Sequence, residues 1–392
     1  MISFPEAFKL LLQHAPALAF ERCHIEHAAG RVLREDVHAD RDFPPFDRVM
    51  MDGYAMRLSD FQDTRTFRLC GIAPAGRAAI VLSETKGSCI EVMTGAPLPS
   101  GADCIVPIEE ISEQEAGNVL VAESFEPVAG QFIHPVGSDA REGDLLLKAG
   151  VRLGSREIGV AASCGLAWLK ISALPEIAVI ATGDELVAVD EVPAAHQIRQ
   201  SNAHAILCAL QRAGYPVARA DTMGDDASSD FLRERIATCD WLILTGAVSK
   251  GARDFIPAML DDLGCTRIFH GVAQRPGKPA GCWIGPKGQV IMALPGNPVS
   301  AITGLHAFVL PALAVASGLP IPRQRLLIPH ERIDGLAGMT RHLPVVIGDD
   351  GRARAAATGN SGDFIGLLKS DGFITLPPRG DAVSAFPFTP WL

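Results

Sequence analysis

The sequence predicts a multidomain protein of the α/β plus β class, with a central three-layer α/β domain on a parallel sheet and a mostly β insertion. An N-terminal helical and linker region and a small C-terminal β domain complete it. Three observations carry this expectation. At 392 residues the chain exceeds one ordinary core, given roughly 150 residues per domain. Between residues 176 and 318, continuous apolar runs (177–181, 241–244, 290–294) each end in a Gly-containing loop and alternate with helical segments, the pattern of buried parallel strands. Between residues 42 and 138, short apolar runs are separated by Gly and Pro, as β structure requires.

In chain order, Ser3 and Glu6 have capping-box spacing, and Phe4, Phe8, Leu11 and Leu12 then recur at helical period. Residues 1–41 and 139–175 flank the insertion 42–138 and are assigned to one N-terminal domain. The α/β domain spans 176–318. Within it, Ser201 or Asn202 is expected to cap a helix that buries Ala203, Ile206, Leu207 and Leu210 before Gly214 stops it. Asn297 and Pro298 form a second N-cap and N1 pair, leading into Ile302, Leu305, Phe308, Val309 and Leu313. A Pro-rich linker at 320–322 opens the C-terminal β domain, 319–392.

Composition narrows the function. Thirty-five basic against 45 acidic side chains give a net charge of −10, so the broad basic footprint that nucleic acid demands is absent. An anionic ligand must therefore meet local cations or backbone donors. Nine cysteines without a C-x-x-C pair argue against a disulfide framework or zinc site and fit a reducing cytoplasm, most of them read as small buried hydrophobes. Glu6, Lys9 and His14 interrupt the first apolar stretch, which is no signal peptide. No uninterrupted apolar run reaches the ~18 residues of a membrane span.

In an open parallel sheet, ligands bind beyond the carboxyl ends of the strands. Thr182-Gly183-Asp184-Glu185 sets two carboxylates after one strand, the alternative being a plain turn with a capping Asp. Thr245 to Asp254 combines small residues, whose N–H groups can approach phosphate, with Ser249, Lys250, Arg253 and a carboxylate suited to a divalent cation. Arg275 and Lys278 add two cations in a proline-bounded turn. Four cations within about thirty residues suggest a polyanionic ligand, against the bland alternative of a solvated charged face. Two strings in the insertion, Pro44 to Ala55 around Asp52 and Met93 to Asp103 around Thr94, disclose no function by spacing and read as ordered loops.

Together these strings resemble the molybdopterin molybdenumtransferase family, which includes the C-terminal catalytic domain of gephyrin. The resemblance runs through nearly the whole chain: P-P-F-D-x-x-x-M-D-G-Y-A at 44–55, M-T-G-A-P-x-P at 93–99, T-G-D-E-L at 182–186, S-N at 201–202, D-D at 225–226, V-S-x-G-x-x-D at 248–254, P-G-K-P at 276–279 and L-P-G-N-P-V-S at 294–300. It implies an elongated homodimer, with the N-terminal domain in dimerisation and the pterin site of the α/β domain facing the partner subunit. The implied reaction inserts molybdate into adenylylated molybdopterin and releases AMP, assisted by Mg²⁺. Catalytic roles carry to Asp52, Thr94, Glu185 and Asp254, and metal ligation to Glu185, Asp225 and Asp254. Substrate contacts carry to Gly246, Ser249, Lys250, Arg275, Lys278, Pro295, Asn297, Pro298 and Ser361. Molybdopterin adenylyltransferase and recipient molybdoenzymes are the implied partners, with no role for nucleic acid or membrane.

The chain also departs from the family pattern. Gly246-Ala247 stands where two glycines are common, Arg275 where lysine is common, and His134 to Asp139 replaces an arginine-rich segment, leaving one anion contact in doubt. Two other readings compete. A molybdopterin adenylyltransferase leaves the flanking domains unexplained, and a carrier that binds molybdopterin without turnover does not need three carboxylates beside an anion.

Overall fold

The computed structural model describes every residue except 116, 218, 226–227, 249–254, 322, 357–361 and 379–384. The chain forms two compact units, one of Met1–Glu35, Ala149–Ser155 and Trp168–Leu392, the other of Asp36–Lys148 and Arg156–Ala167.

The first unit is built on six strands: β1 (Ile177–Thr182), β2 (Arg219–Met223), β3 (Trp241–Thr245), β4 (Thr266–His270), β5 (Gly281–Ile284) and β6 (Val290–Leu294), in the order β2-β1-β3-β6-β5-β4. The apolar runs form β1, β3 and β6, and their side chains alternate between two cores. Ile177, Val179, Trp241, Ile243 and Met292 pack with Ile206, Leu210 and Phe308 on one face. Ala178, Ile180, Leu242, Leu244 and Ile291 pack with Leu232, Ile236, Ile256 and Leu260 on the other. Helices therefore cover both faces, as a three-layer α/β architecture requires, and each fully buried Leu, Ile or Phe contributes roughly 1.5–3 kcal/mol. The expectation of a parallel sheet needs correction: β2, β1, β3 and β6 are parallel, but β5 runs antiparallel to both its neighbours, β6 and β4. A short hairpin connection permits only that direction.

The helix Phe4–His14 opens the chain as its capping box indicates, with Ser3 Oγ accepting from the Glu6 N–H at 3.3 Å. Its Ala7 and Leu11 are buried in the α/β core, whereas the sequence reading grouped this helix with 139–175. Neither Ser201 nor Asn297 caps its helix through the side chain, and Ala209 rather than Leu207 joins Ala203, Ile206 and Leu210 in the interior. Residues 298–316 form a continuous helix with a π turn at Leu305–Val309. By length and apolarity it is able to cross a membrane, yet 83% of its most apolar window is buried inside the protein, the packing of a core helix.

A second sheet in this unit gathers remote segments. Ile2–Ser3 pairs with Val272–Arg275, which pairs with Thr340–Ile347, and the C-terminal strands Gly372–Leu376, Phe386–Pro390 and Arg325–Leu327 follow. The C-terminal β region thus shares its sheet with a strand from within 176–318.

The second unit holds a six-stranded sheet in the order Cys104–Pro107, Gly53–Met56, Ser88–Val92, Thr66–Ala73, Asn118–Val121, Ile111–Glu115. Tyr54, Met56, Phe67 and Val106 fill one side, and Ala55, Ile90, Val92 and Ile105 the other. Gly53 belongs here for steric reasons, since a Cβ would collide with the Val106 carbonyl of the neighbouring strand. All nine cysteines are free, and burial pushes the Cys89, Cys104 and Cys239 thiols up to about 12; Cys70 and Cys208, however, are exposed.

Candidate active site

Because β1, β3 and β6 are parallel neighbours, their carboxyl ends lie side by side, with Ala181 opposite Thr245 and Thr245 opposite Leu294. Gly246 makes the approach possible. Its φ is 105°, and a Cβ there would stand 2.5 Å from the Thr182 carbonyl oxygen. Side-chain hydrogen bonds then tie the ends together. Thr245 Oγ1 donates to the Pro295 carbonyl at 3.3 Å, and Asn202 Nδ2 donates to Thr245 Oγ1 at 3.1 Å and to the Gly296 carbonyl at 2.7 Å. Since a carbonyl only accepts, these bonds fix the Asn202 amide with Oδ1 turned away.

A cavity of about 550 Å³ opens above these ends, lined by Glu185, Asp225, Gly246, Pro295, Asn297 and Pro298 among the sequence-derived candidates. Gln200 and Asn202 also line it, and among the described residues Gln200 Oε1 and Asn202 Oδ1 are buried without a hydrogen-bond partner. Two unsatisfied acceptors at one cavity suit a ligand that presents N–H donors. The two carboxylates after β1 divide their work. Asp184 Oδ1 accepts from the Asp225 N–H at 2.9 Å and holds that loop, while Glu185 lines the cavity.

Ala247 adopts φ 49°, a left-handed conformation that costs a non-glycine residue roughly 1–2 kcal/mol. The departure from two glycines is therefore accommodated by strain at the cavity rim.

A second cavity, about 610 Å³, shares Pro279, Pro295 and Asn297 with the first. Arg275 and Lys278 line it from the turn after Val272–Arg275. Arg341 lines it from Thr340–Ile347, and the parallel register sets Arg341 opposite Arg275. Among the described residues none of these three cations forms an ion pair. Sequence reasoning missed Arg341, because a lone arginine in a strand carries no motif. Only the register between segments far apart in the chain reveals it.

In the second unit, Asp52 and Thr94 meet directly: Asp52 Oδ1 accepts from the Thr94 N–H and from its hydroxyl, each at 2.7 Å. These two bonds hold the Asp52 carboxyl below its ordinary value, the backbone bond acting most. At the string where an anion contact was in doubt, His134 sits between Arg48 (3.0 Å to Nδ1) and Asp139 (2.8 Å to Nε2), so a guanidinium stands beside the histidine.

Ser249, Lys250, Arg253, Asp254 and Ser361 lie outside the described residues. Among the described residues no group of three or more His, Cys, Asp or Glu side chains is arranged to hold a metal ion.

Comparison with known proteins gives a consistent result. Residues 2–165 match the MoeA N-terminal region (domain I and II), and residues 178–315 match the probable molybdopterin binding domain. The chain is 34% identical over 402 residues to the molybdopterin molybdenumtransferase of Synechocystis sp., covering 100% of both chains. It is 30% identical over 407 residues to that of Haemophilus influenzae, covering 98% of this chain and 96% of the relative. Among solved structures, the molybdopterin biosynthesis moeA protein from Pyrococcus horikoshii OT3 superposes with a TM-score of 0.83 at 25% identity, over 100% of both chains.

Proposed function

The chain belongs to the molybdopterin molybdenumtransferase family, enzymes of molybdenum cofactor biosynthesis, and on that premise we propose that it inserts molybdate into adenylylated molybdopterin with release of AMP. The observation that carries the reading is the pair of cavities with shared lining, one rimmed by carboxylates and backbone, the other by three cations that form no ion pair among the described residues.

In this reading the adenylylated substrate lies over the strand ends, where glycine permits close backbone approach to its phosphates. Arg275, Lys278 and Arg341 receive the incoming oxyanion. Cleaving the phosphoanhydride develops negative charge on the bridging and leaving oxygens, and fixed cations and backbone donors stabilise that charge without reorganising. Glu185 and Asp225 supply the hard oxygen donors that Mg²⁺ takes, and Asp254 is the proposed third ligand. Bound there, Mg²⁺ would neutralise charge on the phosphate oxygens. Asp52 and Thr94 keep their catalytic role, and Ser249, Lys250, Pro295, Asn297, Pro298 and Ser361 their substrate contacts. A cytoplasmic homodimer, supplied by a molybdopterin adenylyltransferase and serving recipient molybdoenzymes, belongs to the same proposal.

The test follows AMP release and reconstitution of an apo-molybdoenzyme during incubation with adenylylated molybdopterin, Mg²⁺ and molybdate. Molybdate-dependent AMP with active reconstituted enzyme is the expected result. Ligand binding with no AMP, with molybdate or tungstate, would replace the transferase by a carrier.

A further inference from the structure

From the lining of the cation-walled cavity, which includes Gln274 and His342, a buried polar chain that the proposed chemistry does not use runs to Thr375. Gln274 and His342 are only 1% and 2% exposed. Gln274 Nε2 donates to the Gly277 carbonyl at 3.1 Å, and because that carbonyl only accepts, Gln274 Oε1 must face the other way. It faces His342 Nε2 at 3.3 Å, which must therefore carry a proton and donate. In a neutral imidazole Nδ1 is then an acceptor, and Thr375 Oγ1 lies 3.1 Å from it. The chain of donation runs from Thr375 through His342 and Gln274 to Gly277, the residue between Arg275 and Lys278 in the cationic turn.

Apolar side chains would serve packing better at this place. Phe4 and Phe373 meet the His342 ring edge to face, with centroids 4.8 and 5.2 Å away, so a third phenyl ring would fit without the cost of burying an imidazole. Gly277, at φ 90°, leaves no room for a Cβ, which would stand 2.8 Å from Gln274 Nε2. Its carbonyl accepts a second bond from the Ala280 N–H at 3.1 Å, so two donors hold the crest of the turn. The strand that carries His342 also carries Arg341, so the element that anchors the chain also presents the third cation.

We propose that the Thr375–His342–Gln274 chain is a positioning device, which locks the Arg275–Lys278 turn so that its two cations and Arg341 converge on a tetrahedral oxyanion. This rests on the reading that the second cavity receives that oxyanion. Gln274 and His342 also line the cavity, whereas Thr375 does not, and the chain acts through the Gly277 carbonyl.

The experiment uses the full chain, with tungstate as the binding probe and molybdate in turnover. His342→Phe keeps the aromatic packing and removes both ring bonds, and Gln274→Leu removes the donor to Gly277. Each is expected to raise the tungstate Kd and the molybdate KM about tenfold while changing kcat less than about twofold, and to leave AMP binding unaltered. Thr375→Val, at the far end of the chain, shifts the same two constants in the same direction by about two- to threefold. His342→Gln returns an N–H donor to Gln274 and recovers most of the affinity. Should His342→Phe not fold, Thr375→Val and the separation of KM from kcat in Gln274→Leu carry the test. Folded variants with unchanged Kd and KM would reduce the chain to packing and overturn the proposal. A wild-type chain that binds no tungstate would instead remove the oxyanion cavity itself, and the proposal with it.

Discussion

The cavity above β1, β3 and β6 is made of strand-end backbone and glycine with carboxylate and amide side chains, whereas its neighbour is walled by cationic side chains held on buried polar bonds. The first owes its place to sheet topology, since parallel strands must end together. The second owes its place to a pairing between residues 272–275 and 340–347, which no local pattern announces.

The comparison can be broken most severely at Glu185. Glu185→Ala is expected to lower molybdate-dependent AMP release at least about a hundredfold while thermal unfolding shifts little, as judged by single-turnover assay and melting. Loss of folding in that variant would make Glu185 a structural residue. Next in size, Arg341→Gln is expected to raise the molybdate KM about tenfold with little change in kcat, a uniform binding loss readable from steady-state kinetics. An unchanged KM would dissociate the C-terminal strand from anion binding.

A pH titration of stability sharpens the contrast from the side of the buried relay. Burial pushes His342 down from 6.5 to about 3, and His306 is lowered for the same reason. Below pH 6.5 the unfolded chain takes up protons that the folded chain refuses, so stability falls as pH drops from 6.5 toward 3. The fall attributable to His342 is about 1.4 kcal/mol per pH unit within that window, and His342→Phe is expected to remove that share in melts between pH 6.5 and 5. Smallest is Ala247→Gly. Relief of the left-handed conformation, partly offset by the entropy of glycine, is expected to stabilise the protein by up to about 1 kcal/mol in denaturant titration. A destabilised variant would show that the Ala247 methyl makes contacts worth more than the strain.

The same contrast explains what was legible before the structure. Residues 177–181, 241–244 and 290–294 announced β1, β3 and β6 because fully buried strands are continuous apolar runs, and the order of such strands fixes where their loops meet. The capping box at Ser3 was legible because both partners lie within four residues. Ser201 and Asn297 misled because composition states what a side chain can bind, not what it does bind: Asn202, beside Ser201, instead spends its amide on Thr245 and Gly296. The reversal of β5 was illegible, since a short strand looks the same read either way. Arg341, His342 and Gln274 were illegible for a deeper reason, because their meaning lies in a register between remote segments.

That register also orders the making of the molecule. Every residue that lines the first cavity has been synthesised once residue 298 is added, but the second lacks its far wall until the strand 340–347 emerges and joins residues 2–3 and 272–275 in one sheet. During that interval the strand 272–275 and the apolar helix 298–316, whose His306 meets Trp391, await partners encoded later in the message, so the nascent chain carries uncovered surface of the kind chaperones bind. The cationic cavity is completed later than its neighbour, and a chain cut short after residue 318 would hold every lining residue of the first cavity but not the far wall of the second.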